Sequence, residues 1–417
     1  MMESNRGRLS AGDVGSTGLW RALYLAIALL SGVGLAGKIA LIRKVLPLPT
    51  PAVVMVVGVA ICLPLLWPLA LRIRFVLAPL AITGLLFAPL VLFPKVQQLH
   101  SVGRGTDQSD CVIVAANELT AGHWPYQQDK MWSHNPMSCG PGWVAAQAPL
   151  VKTLGYRWDL VGIWTLALAV CVWAQGWSTV SALLTLLCLC PGFWLAAANG
   201  TDCLPFGIAV TALFAATGKL RRGSVVFVVV AAILAQFRAP MLVLPAFFTK
   251  QAGRAAAIWA SVLAIGTHVA FLLWNPQLYV TGGPMWLIPF PIRSYLLSLG
   301  PVVLCLAIGI PALLAAVAIS LWEQHSSYRW GLLAYLYAIL LPPAVLNLVH
   351  KSIEYSDLIK GLGFWEGGMW IMGCLPITAL VLAAVWPAPE FQVNLTPRTR
   401  FSSGASLVAP LSSPEWK

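Results

Sequence analysis

Carboxylates are scarce in this chain, and they cluster. Only 14 of 417 residues are Asp or Glu, yet Asp107, Asp110, Glu118 and Asp129 fall in one stretch with Asn117, Tyr126 and Asn135. From Thr106 to Leu119 the pattern reads as a helix. At 100° per residue, Asp107, Asp110 and Asn117 share one stripe and Glu118 lies beside it. Ala121-Gly122-His123-Trp124-Pro125-Tyr126 then breaks the helix. Carboxylates on one face can act as general bases, or they can simply complement the N-terminus of the helix they open. A second polar point is Asn199-Gly200-Thr201-Asp202, where Asp202 either caps the next helix or lines the same site. The cations with chemical promise are Arg238, in Gln236-Phe237-Arg238-Ala239-Pro240, and the pair His350-Lys351. An arginine in an apolar run faces a polar cavity or a partner, so Arg238 reads as an anion-binding group or as half of a structural ion pair. His350 and Lys351 read as anion binders or as interfacial anchors. His123 and His134 have no third residue at metal-ligand spacing, so neither a metal nor a cofactor is expected.

The elements that must position these residues are membrane helices. The chain is 59% hydrophobic and 10% charged, which excludes a soluble globular protein of this length. Apolar runs fall at about 20–42, 52–70, 75–94, 159–175, 179–197, 203–217, 224–248, 255–275, 299–322, 330–349 and 364–386. Backbone amides in hydrocarbon need internal partners, so the predicted fold class is an all-α polytopic membrane protein of about 10–11 transmembrane helices. Nineteen tryptophans, many near the ends of runs, fit an interfacial aromatic belt. The net charge of +12 is spread over loops beside the runs, where it orients helices and meets anionic lipid. No nucleic-acid partner is expected.

Three places depart from simple spans. Residues 95–158 form a large loop, 224–248 is interrupted at Arg238 and Pro240, and 276–298 is rich in proline and glycine. Residues 1–19 read as a cytoplasmic N-terminal tail, 20–386 as the transmembrane domain, and 387–417 as a disordered cytoplasmic tail. Lys219, Arg221 and Arg222 form the densest basic turn, which marks the cytoplasmic side. Counting spans from there puts 95–158, 199–202, 276–298 and 350–363 on the outer face. Cys111 and Cys139 share the outer loop and can bridge if that face is oxidising.

One stretch also resembles a known family. An Asp after an outward-going span, an Ala-rich helix, then Gly-x-x-Pro-Tyr and a Pro-rich helix start resemble the C-type glycosyltransferase (GT-C) superfamily. The similarity is to the polyprenyl-phosphate-sugar-using transferases of glycosyltransferase family 87. The residues concerned are Asp110, Ala115-Ala116, Leu119, Gly122, Pro125-Tyr126, Asn135-Pro136 and Pro141-Gly142. The usual aromatic after the Asp is absent, since Val112-Ile113-Val114 stands there, and Asp107 is a second acid. The resemblance implies a GT-C-like bundle whose outer-face loop carries an interfacial helix, and inverting transfer of mannose or another hexose or pentose. The partners implied are a polyprenyl-phosphate-linked sugar, a glycan or lipid acceptor and the bilayer, with the active site on the outer face of a bacterial inner membrane. In that reading Asp110 or Asp107 is the base, and Arg238, His350 and Lys351 hold the donor phosphate. Asn117, Glu118, Tyr126, Asn135 and Asp202 contact substrate. A lipid or solute transporter, with the acids and Arg238 lining its path, and a non-catalytic membrane scaffold are the rival readings.

Overall fold

Each apolar run in the sequence corresponds to a helix or a broken helix. A computed structural model of the chain describes residues 11–36, 49–102, 107–287, 301–325, 327–354, 356 and 367–385. Among them there are helices and connecting turns and no strand. Five helices are long and apolar enough to cross a membrane: Thr50–Arg72, Arg74–His100, Tyr156–Gln175, Arg254–Trp274 and Tyr328–Leu346. Five further apolar helices of 10–17 residues accompany them among the described residues. The chain is therefore an all-α, multi-pass membrane protein. The tails and residues 357–366 lie outside the described residues.

One run expected to be a single span is not. Residues 179–197 divide into helices Trp177–Cys188 and Pro191–Asn199, bent by 86°. Pro191 is the cause, since it has no N–H to continue the first helix and disfavours helical geometry at Cys190. Cys190 is accordingly extended, with φ −95° and ψ 113°. The break expected at 224–248 is present. Helix Val225–Ala235 stops, Arg238 is extended (φ −148°, ψ 154°), and a tight helical stretch runs from Ala239 to Phe248.

Sidedness within the bundle follows from residue size. Without a hydrophobic force between helices in lipid, small residues mark the packed faces. Along Arg254–Trp274, Ala256, Ala260 and Ala264 are buried, whereas Trp259, Val262 and Leu263 are exposed. Helix Cys203–Ala216 is buried on nearly every face, as expected for a helix that is apolar all round. It packs between Tyr156–Gln175 and Gly367–Val385.

Helix Tyr156–Gln175 separates the two polar ends of the bundle. At one end the Tyr156 hydroxyl donates to the Gly200 carbonyl, 2.8 Å away. At the other, Lys219 Nζ donates to the Trp173 carbonyl. These points are 17 residues apart on one helix, about 26 Å at 1.5 Å per residue. The basic turn 219–222 and the polar turn 199–202 thus lie at opposite ends.

The close approach of Cys203–Ala216 to Gly367–Val385 depends on Gly207. A Cβ at Gly207 would lie 2.8 Å from the Gly373 carbonyl oxygen. Gly207→Leu should lower the thermal midpoint of the solubilised protein, corresponding to an overpacking cost of about 1–3 kcal/mol. Gly266 has nothing within 4 Å of its Cβ position, so Gly266→Leu should leave that midpoint nearly unchanged. Equal effects in a fluorescence-detected melting assay would refute the packing argument.

Candidate functional site

The acidic loop helix forms where the sequence places it, at Gln108–Thr120, with Asp107 at its N-cap position. Ser109, Cys111, Val112, Ala115 and Ala116 are buried, and this face packs on helix Pro141–Leu154. A disulfide joins Cys111 to Cys139 and fastens the first turn of the loop helix to the segment that opens the second. In the chain-entropy view, closing a loop of 28 residues stabilises by about 3–4 kcal/mol.

The two aspartates have different partners. Asp107 makes no side-chain cap to its own helix. Its Oδ2 accepts from Ser133 Oγ at 2.7 Å and from Asn135 Nδ2 at 2.6 Å. Asp110 Oδ2 lies 3.3 Å from His100 Nδ1, with both side chains 13% exposed. The His100 ring stacks on Trp132, centroids 4.9 Å apart. His100 escaped the sequence reading because the apolar run ends near Pro94. The helix continues through Gln97 into a tight turn over Gln98–Val102, and this extra length carries His100 to Asp110. The polar sequence Lys95-Val96-Gln97-Gln98-Leu99-His100 after an apolar run was the available signal.

Glu118 organises the next turn rather than facing open solvent. Lys130 Nζ lies 2.6 Å from Oε1, and Oε2 accepts from Gln127 Nε2 at 3.0 Å and lies 3.2 Å from His123 Nδ1. The Lys130 hydrogen bond holds the Glu118 carboxyl below its ordinary range, although partial burial opposes this and His123 adds to it. Asn117 is exposed. Tyr126 is 1% exposed, and burial pushes its hydroxyl well above the usual phenol range.

Arg238 and Asp202 come together, 36 residues apart in sequence. Arg238 Nη2 lies 2.9 Å from Asp202 Oδ1 and Nη1 lies 3.0 Å from Oδ2, a bidentate pair with side chains 5% and 0% exposed. Trp143 Nε1 donates to Asp202 Oδ2 at 3.3 Å. Nη1 also donates to the Phe237 carbonyl at 2.8 Å. Here Arg238 differs from the expectation of a guanidinium pointing into a polar cavity, because its charge is taken up by Asp202. Asp202 likewise has no exposed surface with which to line a cleft. Between their elements, Gly140 N donates to the Phe237 carbonyl and Gly142 N to Gln236 Oε1, 2.8 Å away. A Cβ at Gly140 would lie 1.9 Å from the Gln236 carbonyl oxygen, so only glycine permits this approach. Thr201 Oγ1 donates to Gln108 Oε1 at 3.2 Å, which ties the turn back to the loop helix.

Met137 N donates to the Gly282 carbonyl, 2.9 Å away, so the 276–287 segment joins the same assembly. His350 and Lys351 lie on helix Leu341–Glu354, but their side chains lie outside the described residues. No group of three His, Cys, Asp or Glu side chains suited to a metal occurs among the described residues. Neither a protein-family model, nor a curated protein, nor a solved structure matches this chain.

Breaking one half of a buried ion pair typically costs about 3–5 kcal/mol, whereas replacing both halves by apolar groups can be neutral. Asp202→Leu and Arg238→Met should each lower the melting midpoint strongly, and the double variant should recover most of the loss. Additive losses in the double variant would show that the two residues do not act as a pair.

The Glu118 hub predicts acid sensitivity with a definite sign. A carboxyl held below its ordinary range stabilises the fold above that range and loses this contribution as pH falls through its folded-state value. Amide exchange over 121–131, corrected for intrinsic rate, should show protection at neutral pH and progressive loss in acid. Glu118→Gln should weaken protection at neutral pH and flatten its acid dependence. An unchanged pH profile in Glu118→Gln would remove Glu118 from this role.

Proposed function

We infer that the chain is an inverting membrane glycosyltransferase of GT-C type, which moves a sugar from a polyprenyl phosphate to a glycan or lipid acceptor. The observation that carries this reading is the pair of partly exposed carboxylates, Asp107 and Asp110, within one turn at the start of one loop helix in a bundle of membrane helices. In the reaction, Asp110 accepts the proton of an acceptor hydroxyl as its oxygen attacks the anomeric carbon. The bond from that carbon to the phosphate oxygen breaks on the opposite side, and polyprenyl phosphate leaves with the electron pair. A hydroxyl needs this help, because it is a poor nucleophile until a positioned base takes its proton.

The partners described above divide the labour. Asp107 Oδ2 already accepts two hydrogen bonds, so Asp107 positions the 133–135 segment. Among the described residues Asp110 has one partner, His100, which orients its carboxylate and leaves acceptor capacity for a substrate hydroxyl. The Arg238–Asp202 pair supports the frame. The leaving phosphate falls to His350 and Lys351, whose cations stabilise negative charge as it develops. The site faces outward across a bacterial inner membrane in this reading, and the disulfide Cys111–Cys139 supports an oxidising location.

The 86° bend before Pro191 and the break at Arg238 favour the rival reading of a transporter, because broken helices often build transport sites. One assay separates the two. Purified protein in nanodiscs is given a radiolabelled polyprenyl-phosphate sugar and membrane-derived acceptors. Transfer is expected from the native chain, and Asp110→Asn should reduce it about 10²–10⁴-fold with an unchanged melting midpoint. Loss in Asp107→Asn with Asp110→Asn active would exchange the two roles. Full turnover in both variants would sink the catalytic reading of this helix.

A further inference from the structure

A cleft of about 540 Å³ opens beside the acidic loop helix, within the range of about 300–1,000 Å³ usual for small-molecule sites. Its lining includes Trp124, Tyr126, Gln127, Gln128, Asp129 and His134, and its far wall is the segment around Thr281 and Gly282. None of the lining residues is Lys or Arg. Among the described residues the lining's one formal charge is the Asp129 carboxylate, which does not suit a phosphate. Its chemistry is that of a polyhydroxylated neutral ring: an aromatic surface, amide and carboxylate acceptors, and a few donors. Gln127 and Gln128 are fixed through their nitrogens, to Glu118 and to the His134 carbonyl respectively. Neither amide oxygen has a hydrogen bond among the described residues.

Tyr126 is 1% exposed, and its hydroxyl has no hydrogen-bond partner among the described residues; Trp124 Nε1 is in the same position. Both atoms are sealed from the open cleft, so it is the ring faces of Trp124 and Tyr126, not these donors, that its wall offers to a ligand. Neighbouring Tyr279, by contrast, has its hydroxyl bonded to His268. His134 also stands at φ +56°, a left-handed conformation uncommon for a residue with a side chain. It sits between Ser133 and Asn135, the two residues that donate to Asp107. The segment that touches the candidate carboxylates therefore also forms a wall of the cleft.

The geometry points to this cleft as a carbohydrate subsite that takes a pyranose or furanose ring next to the acidic helix. The source of that ring, acceptor glycan or donor headgroup, rests on the glycosyltransferase reading, whereas ring binding itself does not. The probes are methyl glycosides of mannose, glucose, galactose and arabinose, tested by saturation-transfer NMR on the full chain in nanodiscs. At least one glycoside should give a signal. Thr281→Trp, which fills the exposed mouth, and Asp129→Ala should each weaken binding about tenfold, equivalent to about 1.4 kcal/mol. Both positions are exposed, and an unchanged melting midpoint will show that the variants fold. Added polyprenyl-phosphate sugar should displace the glycoside if the cleft holds the donor's ring, and leave it bound if it holds the acceptor's. Glycoside binding without any sugar transfer would leave the cleft standing and remove the transferase reading. Silence from all four glycosides with the native chain, or undiminished signals in both variants, would overturn the assignment.

Discussion

The geometry of the polar end depends on one buried ion pair. Arg238 lies at the point where helix Val225–Ala235 has ended, and Asp202 lies in the turn before helix Cys203–Ala216. Each charge alone would be costly in an apolar interior. Together, with two parallel hydrogen bonds and the Trp143 indole on the same carboxylate, they are mutually satisfied. The aromatic shell completes the seal: Phe206 and Phe237 stack at 4.0 Å, and Trp143 meets Phe237 edge-on. The break at 236–238 is then required by the pairing. A continuous helix would commit the Phe237 carbonyl to the ladder, whereas the break frees it to accept from Gly140 N and Arg238 Nη1, and the Gln236 side-chain oxygen accepts from Gly142 N beside it.

From this anchor the loop is built outward by progressively weaker restraints. The disulfide and the Gly140 contacts fix the start of helix Pro141–Leu154 against the loop helix. An aromatic group of Trp124, Tyr126, Phe271, Trp274 and Tyr279 then holds the turn after the helix, with ring separations of 5.4–6.4 Å. Glu118 gathers His123, Gln127 and Lys130 nearest to solvent. Surface ion pairs contribute little alone, but this one uses both carboxylate oxygens and ties three residues of one short segment. The order has a functional consequence. The aspartates sit near the rigid disulfide end, while the polar lining of the cleft lies toward the end that solvent and pH can reach.

What could be read from the sequence divides by physical range. Apolar runs report the helices because burial in lipid is a property of each segment alone, so even the run broken at Pro191 was located correctly and only its continuity was misjudged. The Gln108–Thr120 helix is legible for the same local reason, whereas the shared loop of Cys111 and Cys139 permits a bridge without requiring one. The Arg238–Asp202 pair was not legible as a pair. Nothing in two segments 36 residues apart encodes their register, and each residue alone read equally well as a ligand-binding group. His100 was lost because its helix outlasts the apolar run by more than a turn. The contacts of Gly140 and Gly142 with Gln236 depend on a backbone approach that no spacing in the sequence reports.

These distinctions also decide what each aspartate is fit to do. Asp107 and Asp110 are one helical turn apart and of one chemical type, so sequence reasoning ranks them only by spacing. In the folded chain Asp107 is bound into the wall of the cleft through Ser133 and Asn135. Moving its carboxylate toward a substrate would break two short hydrogen bonds. Among the described residues Asp110 is held by one histidine, which is itself fixed by stacking on Trp132. A group that must accept a proton in a transition state needs a fixed position and an unoccupied lone pair together. Asp110 has both. Asp107 has the first, but its Oδ2 is taken up by Ser133 and Asn135, which ties it to the 133–135 segment.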